Sequence, residues 1–135
     1  MGCRQNSVAI VGAGPAGCMC AAFASKNSKV TIFDFSSPLH TLLYTGGGRC
    51  NLAYAEYDFR ELVKFYPRGE KFLYSVFSRF STADAVDFFE KIGVKTYTQD
   101  DMRIFPISNS AKEVRRKLLD CLVDCEFKKE NVEEI

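Results

Sequence analysis

A chain of 135 residues, 47% hydrophobic and 26% charged, is long enough for one ordinary domain and too apolar to be disordered. Its 18 Lys+Arg nearly balance 17 Asp+Glu, leaving a net charge of +1, so electrostatics give no reason to expect a nucleic-acid or membrane partner. No apolar run approaches the ~20 residues of a membrane-spanning helix.

Six cysteines do not make a secreted scaffold or a zinc site here, because neither Cys18/Cys20 nor Cys121/Cys125 has Cys-x-x-Cys spacing. They are expected to be buried, reduced thiols of a cytoplasmic protein. The opening Met1-Gly2-Cys3 hints at acylation, but Asn6 stands where that pattern wants Ser or Thr.

Ser7-Val8-Ala9-Ile10-Val11, apolar and rich in β-branched residues, predicts a buried parallel strand. Pro15 to Lys26 reads as a helix with proline in its first turn, where a missing N–H costs nothing. Lys29 to Asp34 is a second strand, which completes a βαβ unit with a right-handed crossover. From Phe35 to Tyr57 no periodicity is seen, only a loop around Gly46-Gly47-Gly48.

Three helical patterns follow. Asp58 with Glu61 caps the first, whose apolar positions are Phe59, Leu62, Val63 and Tyr66 before Pro67 stops it. Phe72, Leu73, Val76, Phe77 and Phe80 form the second stripe. Ser81 with Asp84 caps the third, which buries Ala85, Phe88, Phe89 and Ile92 and ends at Gly93. Val94 to Thr98 and Arg103 to Phe105 read as strands around an Asp100-Asp101 turn. Ser110 with Glu113 caps a last helix with Val114, Leu118, Cys121 and Leu122 on its apolar face, and Glu126-Phe127-Lys128 is one more strand. The predicted class is α/β, a single Rossmann-type domain with an incomplete parallel sheet. Residues 1–57 hold the βαβ unit and glycine loop, 58–108 a mostly helical insertion, and 109–135 a helix and the next strand.

Gly12-Ala13-Gly14-Pro15-Ala16-Gly17 lies between the first strand and the first helix, and that context gives the pattern its meaning. Gly12 permits the sharp turn, Gly14 leaves a pyrophosphate free to approach the backbone, and Gly17 lets helix and strand pack closely. The helix start offers free N–H groups and a partial positive charge. Asp34, 22 positions after Gly12, sits where an acid binds a ribose hydroxyl pair. A carboxylate there repels a 2′-phosphate, which disfavours NADP in this site. The fingerprint alone does not separate FAD from NAD, since both carry an ADP moiety.

Thr45-Gly46-Gly47-Gly48-Arg49-Cys50-Asn51 is the next dense signal, because three glycines in a row cost much entropy to order. Two readings stand: a small-sided surface lying flat against a ring or diphosphate with Arg49 as a forked cation, or a flexible surface loop. With this motif the sequence resembles the bacterial aminoacetone-oxidase-like flavoproteins, a group of NAD(P)/FAD-dependent oxidoreductases. The resemblance continues through Phe72-Leu73, Phe88-Phe89-Glu90, Arg103 to Ser108 and Ala111 to Val114.

That resemblance implies FAD bound at Gly12, Ala13, Gly14, Pro15, Ala16, Gly17 and Asp34, with Thr45, Gly46, Gly47, Gly48, Arg49 and Asn51 close to the cofactor. It implies a flavin-dependent dehydrogenase, reductase or oxidase, with NAD(P)H as co-substrate in full-length members. The chain departs from the family pattern at Leu39-His40-Thr41, where Gly-Arg-Lys is usual, and at Ala53-Tyr54, where Thr-Asn is usual. It matches only the N-terminal third of such proteins, so a fragment lacking the substrate domain is expected, with an open sheet edge prone to association.

The remaining singular residues have plain readings. His40 is expected to be solvated and Cys50 to serve packing. The 12 Phe and 6 Tyr are expected to lie mostly in the core, and Arg115-Arg116-Lys117 to form a wet helix face. No catalytic residue is named, which fits a flavoenzyme, where the cofactor carries the chemistry. The functional expectation is the FAD-binding portion of a flavin-dependent oxidoreductase. Its rivals are a non-catalytic dinucleotide-binding module and an inactive truncated product.

Overall fold

The computed structural model describes residues 6–134, so Met1-Gly2-Cys3 lies outside the described part. β1 (Asn6–Val11), α1 (Pro15–Ala24) and β2 (Ser28–Phe33) form the expected βαβ unit. The two strands pair in parallel from Asn6↔Ser28 to Val11↔Phe33. After a long excursion the chain returns through α5 (Ala111–Asp120) to β6 (Glu126–Lys128), which pairs in parallel with β2 and gives the order β1-β2-β6.

One face of this sheet carries the core. Ile10, Val30 and Ile32 cluster with Cys18, Ala21 and Ala22 of α1 and with Val114, Leu118 and Leu122 on and just after α5. Among the described residues no helix packs on the opposite face. Val11 is 58% exposed there, and its neighbours Ala9 and Phe33 share a groove with residues 130–134. The expectation of a buried strand at 7–11 is therefore corrected, since only Ile10 of it is buried. Among the described residues β1 is an edge strand covered on one side, whereas a parallel strand is fully buried only with layers on both faces.

The excursion between β2 and α5 differs most from the sequence reading. The segment expected to be an irregular loop contains 3-10 turns over Thr41–Gly48, broken at Thr45–Gly47, and a two-residue strand β3 (Ala53–Tyr54). The helix expected from Phe59 to Tyr66 closes early: α2 (Phe59–Leu62) passes into a 3-10 turn, Val63–Phe65, before Pro67. Asp58 does cap it, accepting from the Arg60 amide at 2.9 Å. Glu61 does not close a capping box and instead pairs with Lys64 at 2.7 Å.

α3 (Glu70–Phe77) follows, then α4 (Thr82–Lys91), where the Ser81/Asp84 capping box is present. Gly93, at φ +85°, takes the left-handed turn that ends α4. β4 (Thr96–Thr98) and β5 (Arg103–Pro106) make the expected antiparallel pair, and β3 joins them in a second sheet of order β3-β5-β4.

The aromatic residues are the clearest correction. Phe105 and Phe89 are buried, but Phe72 is 72% exposed, and Phe65, Phe35, Tyr44 and Tyr57 also face solvent. α3 buries no residue at all, despite its apolar stripe. Periodicity predicts an amphipathic helix, but a stripe is buried only where another layer lies against it.

Candidate functional site

Two of the three glycines in the turn are required by the protein's own backbone and packing. Gly12 leaves β1 at φ +100°, and its amide donates to the Phe33 carbonyl at 2.8 Å, which ties the turn to β2. A Cβ on Gly17 would overlap the Gly12 carbonyl oxygen and stand 3.3 Å from Ile10 Cγ2, so α1 lies directly on the strand. Gly14 is different. Its φ is −74°, open to any residue, and a Cβ there would meet no protein atom within 4 Å. Nothing among the described residues asks for glycine at this position.

α1 begins at this point with Gly14 as its N-cap and no side chain capping it. Among the described residues no protein acceptor meets the N–H groups of Gly14, Ala16 or Gly17. The Ala13 amide is already used: it donates to Asp34 Oδ2 at 2.6 Å. Asp34 Oδ1 accepts from both the amide and the hydroxyl of Ser36, each at 2.6 Å. The Ser36 hydroxyl, followed by the Ala13 and Ser36 amides, holds the Asp34 carboxyl below the usual carboxylate range. Asp34 is thus charged, fixed beside the turn and one residue past β2, with lone pairs still available to hydroxyl donors.

Beyond Asp34 the chain crosses the C-terminal end of the sheet. Asp34, Ser36, Ser37 and Pro38 line a cleft of about 260 Å³ together with Phe127, Lys128 and Lys129. An adjoining cleft of about 350 Å³ runs past Gly12 and Asp34 towards residues 130–132. The Leu39 amide donates to the Ala13 carbonyl at 2.8 Å, which fastens this crossing segment to the glycine turn. Leu39 is fully buried at φ +55°, a left-handed conformation that glycine adopts without strain.

The 45–51 loop has an architecture of its own. Gly46, Gly47 and Gly48 all take positive φ. A Cβ on Gly46 would come within 2.8 Å of both the Asn51 amide and the Phe105 ring. The Arg49 guanidinium lies 4.1 Å from the Phe105 ring centroid, and its Nε donates to the Gly46 carbonyl at 3.2 Å. Backbone conformation and Phe105 therefore explain much of the glycine run and occupy Arg49, while Gly47 stays open with nothing within 4 Å of a Cβ. The structure brings Cys50 into the core, where burial pushes its thiol up. Thr45 and Asn51 stand exposed, as does His40, whose ring meets Tyr44 edge-on.

The sequence reading missed three contributors. Ser36 was legible in principle, because a serine two residues after an aspartate invites a local turn in which the carboxylate accepts its amide. Phe127 to Lys129 reach the cleft only through β6 pairing with β2. Arg115 carried no signal, yet its Nε donates to the Pro38 carbonyl at 3.0 Å and its Nη2 to Ser37 Oγ at 2.9 Å. The wet-face reading of 115–117 holds for Arg116, exposed and paired with Asp120, but not for Arg115 or for Lys117, which lies against Gly93.

The thiols are similarly mixed. Cys18 and Cys50 are buried, Cys121 and Cys125 partly so, and Cys20 is exposed. No helix among the described residues is long and apolar enough to cross a membrane.

Backbone donors left free where a helix opens on a parallel sheet, with a carboxylate one strand over, define a Rossmann-type nucleotide-binding domain, and this chain forms one. The profile of the HI0933-like protein Rossmann domain matches residues 6–135, and the chain belongs to that family of FAD-binding flavoproteins. It is also 30% identical over 125 residues to the ribosomal RNA dihydrouridine synthase of Escherichia coli (strain K12). That match covers 91% of this chain and 29% of the relative, so the chain spans less than a third of the relative's length.

Proposed function

We propose that this chain is the ADP-binding portion of a flavin-dependent oxidoreductase and that FAD is its ligand. The observation that carries the reading is Gly14: among the described residues nothing explains its missing side chain, and its helix end leaves three amides without acceptors. In this reading the amides of Gly14, Ala16 and Gly17 hold the pyrophosphate, Gly12, Ala13 and Pro15 shape the turn that presents them, and Asp34 accepts from the adenosine ribose. Thr45, Gly46, Gly47, Gly48, Arg49 and Asn51 lie towards the rest of the cofactor, with open Gly47 as the closest approach and Arg49 shaping the loop from behind. When bound, FAD supplies a ring that accepts or returns a hydride, with NAD(P)H as the electron source of a reductive reaction.

The test is the bound nucleotide. Purified protein is expected to carry or take up flavin, seen by its visible absorbance, and to release FAD on denaturation. Released NAD would refute the cofactor assignment, and no affinity for either FAD or ADP would refute the site.

The likeness to a ribosomal RNA dihydrouridine synthase favours a second, finer reading in which the substrate is an RNA base. Exposed Tyr57, Phe65 and Phe72 supply faces on which unstacked bases pack. Saturable binding of a single-stranded RNA oligonucleotide, weakened by Phe72→Ser, supports it; no binding at low salt removes it.

A further inference from the structure

Residues 36–39 form a short irregular strap after β2, of which 36–38 line the cleft, and its fastenings can be traced. Ser36 is held by Asp34, and the Leu39 amide is held by the Ala13 carbonyl. Between them, Ser37 and Pro38 line the cleft; the Ser37 carbonyl accepts from the His40 amide at 3.2 Å, and among the described residues the side chain that reaches both from another element is Arg115, 77 residues away in sequence from Pro38. Its α5 is anchored in the core through Val114, 0% exposed, and Leu118, 2% exposed. The guanidinium therefore starts from a fixed base and uses two nitrogens on two successive residues.

We propose that Arg115 is a positioning residue for dinucleotide binding: it holds the Ser37–Pro38 strap in place and, through it, orients the Asp34 carboxylate and the Ala13 end of the glycine turn. The proposal rests on the ADP-binding reading above. The strap has no regular structure of its own, and without Arg115 the Ser37 hydroxyl and Pro38 carbonyl turn to water. A ligand would then have to order the strap as it binds, which lowers affinity without removing any contact to the ligand. The forked geometry matters more than the charge. A lysine has one nitrogen and cannot hold both acceptors in the same way.

ADP is the probe, titrated calorimetrically into the whole 135-residue chain. Arg115→Ala is expected to weaken ADP binding about tenfold, and Arg115→Lys to recover only part of that loss. The factor should be nearly the same at low and high salt, because the residue acts through the strap and not by attracting phosphate across water. Ser37→Ala removes one grip without touching the helix. It should cost about threefold by itself and add little to Arg115→Ala, since both break the same link.

Unchanged affinity in Arg115→Ala, or a loss that disappears in high salt, overturns the positioning role. Should Arg115→Ala fail to fold, Ser37→Ala decides: wild-type affinity there overturns it equally. A wild-type chain that binds no ADP defeats the underlying reading and this inference together, so the two failures are told apart.

Discussion

Exchanging glycines 17 and 14 for alanine, one at a time, separates packing from ligand binding within a single turn. At Gly17 the new methyl meets the Gly12 carbonyl, which is backbone and cannot rotate aside, and also Ile10 Cγ2 at 3.3 Å. α1 has to lift from the sheet, loosening Cys18 and Ala21, both 0% exposed. Overpacking of this kind costs about 1–3 kcal/mol, towards the upper end where backbone is struck, and alanine returns about 1 kcal/mol of helix propensity. The net is about 2 kcal/mol, a sizeable share of an ordinary domain's stability of roughly 5–15 kcal/mol. For a chain of this size that corresponds to a fall in Tm of about 6–10 °C.

Gly14→Ala should behave in the opposite way. With φ at −74° and open space around the Cβ, its stability should stay within about 0.5 kcal/mol of wild type, since lost unfolded-state entropy offsets a poorer N-cap. ADP affinity should nevertheless fall at least about tenfold, because the methyl stands where the pyrophosphate meets the helix start. Urea melts followed by circular dichroism, with ADP titrations on the same samples, give both numbers. A Gly17→Ala protein as stable as wild type would refute the close helix–strand contact. Full ADP affinity in Gly14→Ala would refute the anion cradle.

Three further outcomes follow from the same geometry. Asp34 has a depressed carboxyl in the folded state, so its stabilisation is complete above the ordinary carboxylate pKa and is lost as pH falls through the folded value. Asp34→Asn should therefore flatten the acid side of a pH–stability curve below about pH 4, and ADP binding should weaken with it. Burial, then the Asp34 charge, pushes the Cys18 thiol to about 11, so a thiol reagent at about pH 8 should modify exposed Cys20 quickly and reach Cys18 and Cys50 only after unfolding. Leu39→Gly relieves about 1 kcal/mol of left-handed strain but removes a fully buried side chain worth about 2–4 kcal/mol, so thermal melts should show net destabilisation.

The βαβ unit, the helix caps at Ser81 and Ser110, and the glycine turn with Asp34 beside it are all legible in the residues alone. Each rests on neighbours a few residues apart: a strand must turn, a helix must satisfy its first amides, and glycine alone tolerates φ +100° or a carbonyl in van der Waals contact.

Which apolar stripes are covered emerges from packing, which leaves α3 and the outer face of β1 in solvent. It also supplied intramolecular work for Arg49 on Phe105 and for Arg115 on the strap. The reason is one of distance. Periodicity shows that a face is apolar but not what lies opposite, and a side chain's partner 77 residues away depends on how strands pair and helices stack, which no local pattern encodes.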